Sequence, residues 1–232
     1  MESTKQRFKD IRPAITITIV LFIIMVVFAG WAARQIPADA RLPVHWNVNG
    51  QPDRFAGKFF GLFMMPIVVF LAGALMIFLP SIEPRQKHIR MSIKAYNFIL
   101  ISIVLVFAVL HIVVVMNALG IAFSIDKIVP AMTGTLFIII GNYMGKVRSN
   151  YMLGIKTPWT LSSELSWNKT HRLGGRLFVL SGFLIVLGSL LSTGKVTMII
   201  LLCSVFGIVI VSFAYSYIIW KKDPAKQSNK VK

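Results

Sequence analysis

Six runs of about 20 apolar residues divide this chain, and they restrict it to one kind of fold. They extend roughly over Ala14–Ala33, Phe59–Pro80, Ile93–Met116, Ile128–Gly145, Leu177–Thr193 and Val196–Trp220. A run of that length crosses a hydrocarbon core of roughly 30 Å as a helix. Lipid offers no hydrogen-bond partner to a bare backbone, and an open sheet would leave an unpaired edge, so each run is expected to be helical. The residues left over are too few for a large soluble domain. Composition agrees: 56% of the 232 residues are hydrophobic, against roughly 45–50% in soluble domains. The expected fold class is all-α, a polytopic membrane protein with six transmembrane helices. The apolar run after Met1–Arg12 exceeds the roughly 7–15 residues of a signal-peptide core, so it reads as an uncleaved first span.

The net charge of +17 invites a nucleic-acid reading, which needs the charge gathered on one face. Here it alternates along the chain instead. Of the 25 Lys and Arg, 19 precede the first run or follow the second, fourth and sixth, and 6 follow the first, third and fifth. The positive-inside rule then puts both termini and the second and fourth loops in the cytoplasm. The charge thus reports topology, with a secondary attraction to anionic head groups. The bilayer is the expected partner, and no direct nucleic-acid contact is expected. The organisation reads as a cytoplasmic N-terminus (1–12), a two-span unit (13–92) with an outside loop at 34–58, a four-span unit (93–220) with a cytoplasmic loop at 146–176, and a basic, unstructured tail (221–232).

In the outside loop, Leu42, Val44, Trp46 and Val48 alternate with other residues at the period of a half-buried strand. Asn49-Gly50 is a turn dipeptide. Pro52 is expected to prevent a regular returning strand, and Trp46 suits the membrane interface. The cytoplasmic connection reads GNYMGKVRSNYMLGIKTPWTLSSELSWNKTHRLGGR over residues 141–176, far more than a turn requires. Gly154 permits unusual dihedrals and Pro158 pushes Thr157 towards an extended backbone. Thr160 or Ser162 is expected to cap a following helix, with Glu164 near its positive end. In that helix Trp167 and His171 share a face, and Lys169, Arg172 and Arg176 form a basic stripe. It reads as an amphipathic helix on the membrane surface, or as a docking face for a cytoplasmic partner or a lever on the fifth span. Asn142 is expected to bond to this loop. Small-residue pairs at helix-contact spacing are Gly141 with Gly145, Gly188 with Ser192, Cys203 with Gly207, and Ser212 with Ser216.

Catalytic chemistry has no visible carrier. Ser162 and Ser163 lack a G-x-S-x-G setting, and no P-loop or GxGxxG is present. His45, His88, His111 and His171 show no metal-ligand spacing, and the single Cys203 excludes an internal disulfide. No enzyme activity, metal or cofactor is expected. His111, inside the third span, is a candidate for a polar pair facing the bundle interior. Two rival readings are a transporter of a peptide or small solute and a membrane enzyme acting on a toxin or the envelope. The first needs polar groups along a midplane path, which are few here.

The segment containing Gly141-Asn142, Asn150, Gly154-Ile155-Lys156-Thr157-Pro158-Trp159-Thr160-Leu161, Trp167, Thr170-His171-Arg172 and Gly175 resembles the SdpI family of bacterial membrane proteins. Pro43-Val44-His45-Trp46-Asn47, with Gly50 and Asp53, resembles the small domain that often precedes the SdpI motif. Lys156 stands where arginine is common, which keeps the charge but loses bidentate geometry. The resemblance implies an immunity protein of the bacterial cell membrane that protects against a secreted, membrane-active peptide toxin. A second role, as a receptor holding a small cytoplasmic helix-turn-helix repressor at the membrane, is open to such a protein. On this reading His45, Trp46, Asn47, Gly50 and Asp53 face the toxin. Asn142, Asn150, Gly154, Lys156, Thr157, Pro158, Trp159, Thr160, Trp167, Thr170, His171 and Arg172 face the partner.

Overall fold

The computed structural model describes the backbone of residues 2–227 and the side chains of residues 11–225. The chain runs α1 (Glu2–Ala33), β1 (Arg41–Trp46), β2 (Pro52–Gly57), α2 (Lys58–Ile82), α3 (Gln86–Met91), α4 (Ile93–Ala118), α5 (Ile125–Met144), α6 (Pro158–Ser162), α7 (Glu164–Leu191), α8 (Gly194–Lys221) and α9 (Pro224–Gln227). Among the described residues six helices are long and apolar enough to cross a membrane: Ile11–Ala33 of α1, then α2, α4, α5, α7 and α8. The all-α, six-span expectation holds. Large apolar side chains such as Ile23, Val27, Phe206 and Phe213 point outward, while Ala14, Ala29 and Ala32 are buried. That distribution suits a solvent as apolar as the side chains, where close packing rather than water exclusion holds helices together.

The spans pack in two groups of three. Helices α1, α2 and α4 enclose Ala14, Met25, Val69, Tyr96, Leu100 and Val104, and nearer the hairpin Ala29, Ala32, Leu42, Leu62 and Val115. Helices α5, α7 and α8 form the second group, and α4 meets α5 along a thinner seam. Only two residues separate Leu191 from Gly194, so α7 and α8 are antiparallel neighbours.

Glycine sets the α5–α7 seam. A Cβ built on Gly134 would lie 2.7 Å from the Gly182 carbonyl oxygen, and one on Gly182 would lie 2.5 Å from the Gly134 oxygen. Two turns along, Gly141 and Gly175 repeat the arrangement at 2.6 and 2.7 Å. Backbone here meets backbone, the closest approach two helices can make. The expected small-residue pairs divide accordingly. Gly141 lies in the seam, Gly188 meets Ile200, and the Ser192 hydroxyl meets that of Thr197 at 3.1 Å. Cys203 is exposed and a Cβ on Gly207 would meet nothing within 4 Å, so that pair faces lipid rather than a helix. Spacing alone does not say which face of a helix has a neighbour.

Two buried polar contacts tie α4 to the first two helices. Pro80 lacks an N–H, which leaves the carbonyl of Met76 without its helical partner, and the Tyr96 hydroxyl donates to that oxygen. His111, fully buried, donates from Nε2 to the Met25 carbonyl at 3.1 Å and sets its ring edge-on to Phe28. Its Nδ1 has no partner among the described residues. The pairing expected of a polar group inside a span is therefore made on one side of the ring.

The loop between α1 and α2 departs from expectation. Pro52 does not prevent a returning strand: β2 begins at Pro52 and pairs antiparallel with β1, from Arg41 opposite Gly57 to Trp46 opposite Pro52, with irregular register around Val44. Proline is tolerated at the first position of an edge strand, where no ladder bond needs its missing N–H.

Candidate functional site

The connector between α5 and α7 is a folded plug, and its parts explain one another. Asn150, fully buried, is the organiser of its first half. Its Nδ2 donates to the carbonyls of Arg148 (2.7 Å) and Leu153 (3.0 Å). Its Oδ1 accepts from the N–H groups of Met152 (2.8 Å) and Leu153 (2.7 Å). One amide thus closes a tight turn with its donors and acceptors all used. Gly154 follows with φ +124°, and a Cβ there would lie 2.3 Å from His171 Nε2. Both the dihedral and the space require glycine.

His171 joins the connector to α7. Its Nδ1 donates to the Trp167 carbonyl at 2.8 Å, and its Nε2 accepts from the Ile155 N–H at 3.0 Å. The ring is therefore held as one neutral tautomer. It stacks on Trp167 with centroids 4.0 Å apart, and the Trp167 indole N–H donates to the Val147 carbonyl at 2.8 Å. Both rings are buried. Lys156 donates from Nζ to the Tyr151 carbonyl at 3.1 Å. That contact needs a point charge rather than a planar fork, so lysine in place of arginine fits here.

The second half turns into α7. Thr157 caps α6 through a capping box: Thr160 N–H donates to Thr157 Oγ1 at 3.1 Å, and Thr157 N–H donates to Thr160 Oγ1 at 2.9 Å. Pro158 occupies the first turn of α6, where its missing N–H costs nothing. Thr157 also donates to Ser216 of α8 at 3.0 Å, and Trp159 lies edge-on to Phe213, also of α8. Ser163 caps α7 by accepting from Ser166 N–H, and it donates to Asp223. The caps are therefore Thr157 and Ser163, not Thr160 or Ser162. Asp223 is buried, so the start of the tail is docked rather than loose; residues 228–232 lie outside the described part.

Two further expectations are corrected. The segment 164–176 is not a separate surface helix: α7 runs unbroken from Glu164 to Leu191, and Trp167, Thr170 and His171 face inward. Asn142 does not reach the connector. Its Nδ2 donates to Ile138 of its own helix at 2.9 Å and the side chain is exposed. Among the motif residues Lys156, Pro158 and Arg172 are exposed and Trp159 is half-buried.

Residues outside the motif complete the site. Glu83, 1% exposed, accepts from Arg85 N–H at 2.9 Å and Tyr151 N–H at 3.0 Å. Arg85 donates to Ser149 Oγ and to the Leu161 carbonyl at 2.9 Å, and its guanidinium lies over the Tyr151 ring. His88 donates from Nδ1 to the Ser149 carbonyl at 2.6 Å. The short loop after α2 thus clamps the connector. The only signal for it in the sequence is a lone acid beside basic residues at the end of an apolar run, which names no partner.

At the opposite end of the bundle the hairpin brings His45, Trp46, Asn47, Gly50 and Asp53 together. Asn47 Oδ1 accepts from Asn49 N–H (2.9 Å) and Gln51 N–H (3.1 Å), and Gly50 turns with φ +74°. His45 Nδ1 donates to Asp53 Oδ1 at 2.5 Å across the strands, with both side chains largely exposed. The tip rests on the second helix group. A Cβ on Gly194 would lie 1.9 Å from the Val48 carbonyl oxygen, and one on Gly50 would lie 2.9 Å from Asp126 Oδ1.

Comparison with known proteins gives three findings. Residues 146–216 match the model of the SdpI/YfhL protein family, and residues 20–70 match that of a domain of unknown function, DUF1648. The chain is 29% identical over 181 residues to "Immunity protein SdpI" of Bacillus subtilis (strain 168), covering 78% of this chain and 84% of that protein. No solved structure matches.

Proposed function

We propose that this chain, whose residues 146–216 match the model of the SdpI/YfhL protein family, is an integral membrane immunity protein, which protects its cell from a secreted, membrane-active peptide toxin. The observation that carries this reading is likeness to an immunity protein over most of both chains. The distribution of Lys and Arg favours a cytoplasmic connector and an outward hairpin. The hairpin offers an apolar peptide half-exposed Phe55 and partly exposed Val48 beside the His45–Asp53 pair. A toxin bound there acts on the protein only through its different affinity for two arrangements of the bundle. Lys156 and Lys169, both exposed, give the connector a basic surface suited to an acidic patch on a small cytoplasmic repressor.

Toxin challenge of cells carrying the parent, His45→Ala or Phe55→Ser, at equal membrane abundance, tests the reading. Loss of survival in the variants is expected; equal protection by both removes the hairpin from the function. Thiol labelling of Asn49→Cys and Lys156→Cys in intact cells tests the orientation. Labelling of both from outside would end it.

A further inference from the structure

Beyond the connector, α5 and α7 leave an open groove of about 590 Å³ on their outer side. The glycine seam forms its floor, because Gly141, Gly145 and Gly175 have no side chains to fill it. Its two ends differ in chemistry. At the end near the connector it is lined by Lys146, Arg172 and Arg176; towards the middle of the span it is lined by Val179, Leu180 and Phe183. Arg172, Arg176, Leu180 and Phe183 are exposed on one stripe of α7. Lys146 lies over the ring of Tyr143, and none of the three cations has a carboxylate within ion-pair distance among the described residues. Asn142 lies in the same groove and spends its Nδ2 on Ile138, which leaves its Oδ1 to accept from outside.

We propose that this groove binds one anionic phospholipid. The phosphate sits among Lys146, Arg172 and Arg176, a glycerol hydroxyl of the head group donates to Asn142 Oδ1, and the acyl chains run down Val179, Leu180 and Phe183. Three observations select this occupant. Lys146 follows the last turn of α5, and Arg172 and Arg176 precede the apolar stretch of α7 that begins at Leu177, a position that suits the depth of head groups. The apolar stripe continues from them along the span, at the depth of acyl chains. The net charge of the site is uncompensated, and a phosphodiester supplies the missing sign. A soluble anion would use the first half of the groove and leave the apolar half uncovered. The inference does not depend on the immunity reading.

The test is titration of phosphatidylglycerol and, separately, phosphatidylcholine into the purified full-length chain in detergent, read by native mass spectrometry. The parent is expected to prefer phosphatidylglycerol. Lys146→Gln and Arg176→Gln are each expected to lower that preference about fivefold, and the double variant about 25-fold, at about one surface charge's worth apiece. Lys146→Arg with Arg176→Lys, which keeps the charges, is expected to retain it. Lys221→Gln with Lys222→Gln, at the end of α8 and outside the groove, should leave it unchanged. No preference in the parent, or a preference that survives the double variant, overturns the proposal. So does equal loss in the α8 variant. Displacement of the lipid by millimolar inorganic phosphate would make this a site for the free anion and would also overturn it.

Discussion

Replacing Gly154 by alanine should detach the connector from α7 while leaving the bundle assembled. The residue sits at φ +124°, a conformation costing an L-residue about 1–3 kcal/mol. The new Cβ would fall 2.3 Å from His171 Nε2, so ring and loop must separate. Separation breaks the Ile155 N–H bond to His171 and leaves a buried ring nitrogen without its donor, about 1–3 kcal/mol more. A combined cost of about 3 kcal/mol raises the population of detached connector roughly 150-fold. Hydrogen–deuterium exchange of the Ile155 amide in the purified protein reads that population directly. Gly145→Ala is the control, because its Cβ would come no nearer than 3.7 Å to Arg172 and its backbone is already helical. Exchange at Ile155 as slow in Gly154→Ala as in the parent would refute the argument that His171 holds this loop.

Trp167→Phe removes the donor to the buried Val147 carbonyl and should lower stability by about 1–3 kcal/mol, measured as the midpoint of thermal unfolding in detergent. Glu83→Gln leaves one acceptor oxygen for two N–H groups that Glu83 now serves. Faster tryptic cleavage after exposed Arg148 is expected, with the span helices still resistant. Gly182→Leu drives a side chain into the Gly134 backbone and should part α5 from α7, whereas Gly207→Leu, facing open space, should unfold at the parental temperature.

The spans were legible because about 20 consecutive apolar residues admit one structure in lipid. The start of α7 was not. Its inward face carries Ser166, Trp167, Thr170, His171, Gly174 and Gly175; Ser166 bonds to α8, Trp167 and His171 bond to the connector, and Gly175 meets α5. With the exposed Lys169, Arg172 and Arg176 beside it, such a face reads as part of a surface helix rather than as the buried start of a span. Gly154 and Thr157 are legible as a turn, because their backbone preferences are local. The connector partners of Glu83, Arg85 and His88 are hidden for the opposite reason: they lie more than 60 positions away, and nothing local distinguishes a clamp from a positive-inside loop. Gly134 and Gly182 were missed because each gains meaning only once the antiparallel register is known.

The glycine-to-glycine contact also governs how this molecule can deform. Where Gly134 meets Gly182 and Gly141 meets Gly175 no side chain separates α5 from α7, so at those two crossings there are no rotamers to exchange and the pair behaves as one stiff strut. One end of it carries the Asp126 contact with the hairpin tip, and the other opens into the connector. A push on the tip is therefore transmitted along its length, and the yielding must occur at the looser joint where α4 meets α5.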